Sequence, residues 1–213
     1  MSLQTALPFE LDFFSDKPIH IEIDPQPLTS DAGLLLIRQF DHRIGLTAAL
    51  ADAIHDPRDP TRIEHTVPEM VRSRIFGILA GYEDQNDHDT LRTDPVFKLI
   101  ADRSPDNEHL ASQPTLSRFE NQIDIASMFR LREVFVEQFL NSFATPPTTM
   151  TFDLDPVDDP AHGNQQLTLF HGYYDQYQYY PLLITSAETD QMVMLSLRHG
   201  TATAWLGADD DLE

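Results

Sequence analysis

An α+β fold is what this sequence predicts, and three observations carry the expectation. Helical periodicity recurs from Asp31 to Phe143, a proline pair interrupts it within "ATPPTT" (residues 144–149), and period-two or short apolar segments follow as far as Arg198. The chain divides accordingly into an extension with one short strand at 1–27, a helical part at 28–145 and a strand-bearing part at 146–213.

The elements follow in order. "IHIEID" (19–24) alternates apolar and polar residues, as a half-buried strand does. In "TSDAGLLLIRQF", Ser30 or Asp31 is placed to cap a helix whose apolar face is Leu34, Leu35, Ile37 and Phe40. "LTAALADAIHD" continues as a second helix, stopped by "DPRDP" (56–60). "VPEMVRSRIFGILAGY" spaces Val67, Met70, Val71, Ile75, Ile78 and Leu79 on one face, with Pro68 tolerated in the first turn. A short helix is expected before Arg103. "TLSRFENQ" opens another with Thr115 as its cap, and "IASMFRLREVFVEQFLNSF" lines up Met128, Leu131, Val134, Phe135, Gln138 and Phe139. After the break, "TMTFDLD" is a first strand, "QLTLFHGYYDQYQYYPLLITSA" a second interrupted near Gly172, and "QMVMLSLR" a third. Short links between successive strands suggest an antiparallel meander. The acidic tail "GADDDLE" is expected to fray.

Composition narrows the chemistry. With 41% hydrophobic residues the chain can build a core, and the absence of cysteine removes disulfides, thiolate catalysis and cysteine-held zinc. No apolar run approaches the ~20 residues that cross a bilayer, and the N-terminus lacks the pattern of a signal peptide, so a soluble, cytoplasmic protein is expected. No nucleotide-cradling glycine motif and no GxSxG elbow occur, and no two histidines stand four apart as in a helical zinc site.

Two patterns remain. Asp153, Asp155, Asp158, Asp159 and His162 fall within ten positions. Residues two apart in a strand share a face, so Asp153 and Asp155 form a pair of oxygen ligands suited to a hard divalent ion, or simply the acidic start of a solvated turn. Arg118 and Arg130, on the last two helices, and Arg72 and Arg74 in "RIEHTVPEMVRSR" are candidates for phosphate contacts, or ordinary solvated helix faces diluted by Glu64 and Glu69.

"LTSDAGLLLIRQFDHRIGLTAAL", "DPRDPTRIEHT", "GYEDQNDHDTLRTDPVFKLI", "LASQPTLSRFEN" and "FDLDPVDDPAHGNQQ…FHGYYDQYQYYPLLI" follow one another in an order that resembles bacterial insertion-sequence transposases of the DDE type, over about residues 28–200. The resemblance implies a helical N-terminal part and an RNase-H-like catalytic domain. It implies strand cleavage and transfer on DNA by two Mg²⁺ ions held on three carboxylates, and the terminal inverted repeats of an element as partner. The position matching the first carboxylate is Asp155, with Asp153 next; the family's threonine two residues later is Val157 here. No "DSGF"-like block for the second aspartate follows, so the resemblance implies only the first three strands of the catalytic domain, a truncated and inactive polypeptide. The alternative is a non-catalytic DNA-binding or dimerising regulator, paired with itself or with a full-length transposase. An unrelated acidic metal-binding module is the third possibility.

Charge carries its own expectation. Thirty-five acidic groups face 14 basic ones, a net −21, and Lys17 and Lys98 are the only lysines. Eleven of the twelve arginines lie between Arg38 and Arg132, while the part from Pro146 onward has nine Asp and two Glu against Arg198 alone. Such a surface repels a phosphate backbone in dilute buffer. Its composition suits high salt, where repulsion is screened within about 3 Å at 1 M. Thermal melts across a salt series should therefore show the fold failing as salt is withdrawn. Undiminished stability in low-salt buffer would exclude adaptation to salt.

Overall fold

The computed structural model describes residues 9–11, 19–21, 28–163, 165–166, 168–208 and 211. Its helices are α1 (Leu34–Ile44), α2 (Leu46–Ala53), α3 (Val67–Leu79), α4 (His88–Leu91), α5 (Pro95–Ile100), α6 (Gln113–Asn121) and α7 (Ile125–Asn141). Its strands are β1 (Phe9–Leu11), β2 (Ile19–Ile21), β3 (Phe152–Pro156), β4 (Asp159–Pro160), β5 (Leu169–His171), β6 (Gln176–Tyr179), β7 (Leu182–Ser186) and β8 (Met192–Ser196). The fold is α+β, as the sequence predicts. β1 and β2 pair antiparallel, with Glu10 opposite His20. The rest of the expected 19–24 strand and most of the acidic tail lie outside the described residues.

Three hydrophobic cores are joined by two long helices. α3 sends Met70 and Val71 into a core with Leu50, Leu116 and Val134, and Phe76 into a second with Leu34, Phe97 and Ile100. Phe76 is only 1% exposed; burial of such a side chain contributes about 1.5–3 kcal/mol. Ile78 and Leu79, expected on the buried face, are exposed. α7 sends Val134 into the first core and Phe139 into a third, against Leu182, Ile184, Val193 and Met194 of β7 and β8. The last helix thus packs on both the helices before it and the sheet after it.

Side-chain caps mark three of the seven α-helix starts among the described residues. Thr66 accepts from Glu69 N, Asp94 from Val96 N and Phe97 N, and Asp124 from Ser127 N, each satisfying backbone donors that a first turn leaves free. Two expected caps are corrected. α1 has Gly33 at its cap position, and Asp31 instead offers its carbonyl to Leu34 N and its carboxylate to the Tyr82 hydroxyl at 3.2 Å. α6 begins two residues before Thr115, whose hydroxyl lies 3.1 Å from Ser112 Oγ.

α1 is also turned from its expected orientation. Leu34 and Asp41 face inward, whereas Leu35, Ile37 and Phe40 are exposed. Hydrogen bonds decide the rotation: buried Asp41 accepts from Thr47 N at 2.9 Å and Thr47 Oγ1 at 2.6 Å, and Arg38 reaches Ile100 O at 3.1 Å. Gly45, with φ of 72°, makes the tight corner between α1 and α2 that brings Thr47 under Asp41.

The strand-bearing part is a bent ribbon. β3 pairs antiparallel with β7 (Asp153 opposite Thr185, Asp155 opposite Leu183), β7 with β8, and β6 with both β4 and β5. The register between β3 and β7 runs on unchanged between β4 and β6, where Asp159 faces Tyr179 and Pro160 faces Gln178. The two three-stranded sheets, ordered β3-β7-β8 and β4-β6-β5, are therefore one antiparallel pairing kinked between them. Pro156 and Pro181 mark the kink, since neither has an N–H for the ladder. The expected second strand is accordingly three strands. β5 and β6 are separated by a turn at Gly172–Asp175, and β6 and β7 by Tyr180 and Pro181.

Arg198 pins the kink. Its buried guanidinium donates to Tyr180 O at 2.9 Å and to the carbonyls of Thr203, Ala204 and Leu206 at 3.0–3.1 Å. Nearby, a Cβ on Gly200 would stand 2.1 Å from Gln178 O and 2.4 Å from Leu169 O, so only glycine lets the chain cross there.

His88 supplies a pH test of the helical part. The ring is buried, and its Nε2 lies 3.3 Å from Arg74 Nη1, where a neutral ring accepts a hydrogen bond. Burial first, and the Arg74 charge second, push its pKa down from 6.5 to about 4, against a smaller pull from Asp87. The folded state therefore prefers the neutral ring. Its contribution is fully present above pH 6.5 and is lost as pH falls to about 4, a change on the order of 3 kcal/mol. Denaturant titrations over that window should show the decline, and a His88→Gln variant should lack it. Parallel pH curves for the two proteins would overturn this account.

Candidate functional site

β3 alternates as its sequence requires. Phe152 and Leu154 pack toward the core beneath α7, and Asp153 and Asp155 point to the opposite face and are exposed. They share that face with Leu183, Thr185 and the exposed Leu195. Neither carboxylate has a hydrogen-bond or ion-pair partner among the described residues. Asp155 stands one residue before the kink, where Val157 N donates to Pro181 O at 2.9 Å. The rest of the acidic group leaves this face: Asp158 accepts from Gln176 Nε2 at 3.3 Å, Asp159 enters β4, and His162 is exposed in the loop beyond.

The four arginines singled out by sequence have separate fates. Arg72 pairs with Asp102, and Arg74 with Glu120 at 2.6 Å. Arg130 donates to Ala53 O and Ser127 Oγ, both at 2.8 Å, tying α7 to the end of α2. Arg118 is exposed, with Thr115 Oγ1 at 3.2 Å, and lines a cleft of about 650 Å³. Arg58, Arg62, Arg92, His65 and His109 line the same cleft. Single-residue reading passed over Arg62 and Arg92 as phosphate contacts, although Arg62 opens the basic segment already noted.

A buried ion pair adjoins this cleft through His65. Glu69, in the first turn of α3, is almost wholly buried and takes His65 Nδ1 at 2.7 Å and Arg103 Nε at 2.9 Å. Arg103 then donates to Glu64 O at 2.8 Å and His109 O at 3.4 Å, both residues of the cleft lining.

A family model described as transposase DDE domain group 1 matches residues 11–212. The chain belongs to that family. No curated protein and no solved structure matches it. As a DDE transposase-domain protein it carries DNA transposition as its function and DNA as its partner class, and the family generally uses divalent metal ions. Among the described residues, no helix is long and apolar enough to cross a membrane.

The donor set does not fit a complete ion site in this transposase-domain chain. Asp153 and Asp155 offer oxygens on one face, but among the described residues no three His, Asp or Glu side chains gather as metal ligands.

Removing Arg103 should expose how much this DDE-family chain depends on the Glu69 pair. Arg103→Ala leaves a desolvated carboxylate with only His65, and stability should fall by about 3 kcal/mol in denaturant titration. A loss under about 1 kcal/mol would mean that water reaches Glu69 and the pair is not structural.

Proposed function

We propose that the chain acts in DNA transposition with Asp155 as the first carboxylate of the catalytic set and Asp153 as its neighbour. The observation that carries this reading is an exposed carboxylate, without a partner among the described residues, at the end of β3 on the face that α7 leaves open. A carboxylate consumed in a structural ion pair would not be free to meet an ion or a substrate, and the Asp155 side chain has no such partner among the described residues. Hard oxygen ligands of this kind suit Mg²⁺. In this reading residues 28–145 supply DNA contacts, including those to an element's terminal inverted repeats, and residues 146–213 are the RNase-H-like part that bears Asp155.

A second reading, a DNA-binding regulator without catalysis, is favoured by two observations: no complete ligand set among the described residues, and a cleft rich in arginine. Incubation with duplex element ends and Mg²⁺ should give no cleavage by these 213 residues alone. Turnover would place the working carboxylates elsewhere. Titration calorimetry with Mn²⁺ should show heat that Asp155→Ala diminishes; equal heats for both proteins would remove Asp155 from the ligands.

A further inference from the structure

Ion pairing divides the arginines of this acidic protein into three groups. Arg38, Arg58, Arg72, Arg74, Arg103 and Arg132 each pair with a carboxylate. Arg130 and Arg198 are held by backbone carbonyls, and Arg43 lies beside the Phe40 ring at 5.8 Å. The remaining three, Arg62, Arg92 and Arg118, have no carboxylate partner among the described residues, and all three line the one cleft. They arrive from the 3₁₀ turn at Pro60–Arg62, the end of α4 and the body of α6.

This distribution is hard to reach by accident. With 35 acidic residues in the chain, an arginine placed without constraint readily finds a carboxylate. Here the lining brings four arginines against Glu64 and Glu108, and only Arg58 is neutralised, by Asp56 at 2.7 Å. Arg92 touches His109 Nδ1 at 3.2 Å and Arg118 touches Thr115 Oγ1 at 3.2 Å, which leaves most of their N–H groups unused. The hydroxyls of Ser112 and Thr115 lie in the same lining. Planar guanidinium forks with free donors, beside hydroxyls of the same lining, match the oxygens of successive phosphodiesters.

We infer that Arg62, Arg92 and Arg118 form the phosphate-contacting track through which this chain grips a DNA backbone, independent of base sequence. The inference rests on the transposition reading above and adds the surface that engages the strand. Arg72 and Arg74, already paired, and Arg130, turned onto α2, lie outside the track.

Fluorescence anisotropy with a labelled duplex of arbitrary sequence tests it, over a salt series in which circular dichroism shows the protein folded. Each phosphate contact contributes about 0.9 to the slope of log affinity against log salt. A protein substituted Arg62→Ala, Arg92→Ala and Arg118→Ala should bind at least tenfold more weakly, with a slope smaller by about 2.7. An Arg43→Ala control should match the unsubstituted protein. In the unsubstituted protein, DNA should shield the three arginines from phenylglyoxal, read by peptide mass, which needs no variant to fold. If the unsubstituted protein binds DNA while the triple variant keeps its affinity and slope, or modification proceeds unshielded, the track is refuted and the transposition reading stands. If DNA is not bound at any salt, the transposition reading falls and the track with it. Equal shielding by inorganic phosphate alone would reduce the cleft to a simple anion site and overturn the DNA assignment.

Discussion

Glu69 is the carboxylate on which the helical part depends. Removing an ionised side chain from water costs several kcal/mol unless partners replace the lost solvation, and Glu69 is nearly as buried as the leucines around it. Arg103 and His65 replace that water. Because Arg103 also binds two backbone carbonyls, satisfying one buried acid orders the turn before α3 and the loop before α6 together. The same logic recurs where Asp102, at a positive φ of 60°, takes both Arg38 and Arg72, and where Asp41 is closed over by Thr47. Helices in this protein are set by which arginine meets which acid as much as by apolar faces.

That economy explains a feature of the surface. When paired arginines serve packing, those left unpaired stand out, and three of them, Arg62, Arg92 and Arg118, converge on one concave region of an otherwise acidic molecule. A phosphate backbone approaching the chain meets repulsion over most directions, and such a region focuses attraction into one of them. The net charge of −21 and a DNA partner are therefore compatible, provided contact is local and long-range repulsion is screened.

The bent ribbon organises the other end of the molecule. An unbroken register with prolines on both strands interrupts the ladder without a change of pairing, and Arg198 ties Tyr180 to the segment that follows β8 through four carbonyls. Asp155 sits at the edge of that kink, on a strand whose other face is anchored by Phe152 and Leu154 against α7. A carboxylate so placed is held by rigid backbone while its side chain remains open, the combination that a strand-borne ligand requires.

Much of this was legible in the amino-acid order. The α+β class, the break at 144–149 and the shared exposed face of Asp153 and Asp155 follow from spacing within a few residues, whereas the caps expected at Ser30 or Asp31 and at Thr115 do not hold. What local spacing did not carry were the rotation of α1, the kinked ribbon and the fate of each arginine. Arg72 meets Asp102 across 30 positions, Arg103 meets Glu69 across 34 and Arg74 meets Glu120 across 46. Sequence by itself determined which segments could be helix or strand, because backbone and cap preferences act over one or two turns. Only the tertiary structure decided which charges are spent and which are free, because a guanidinium is neutralised by whatever the folded chain sets against it.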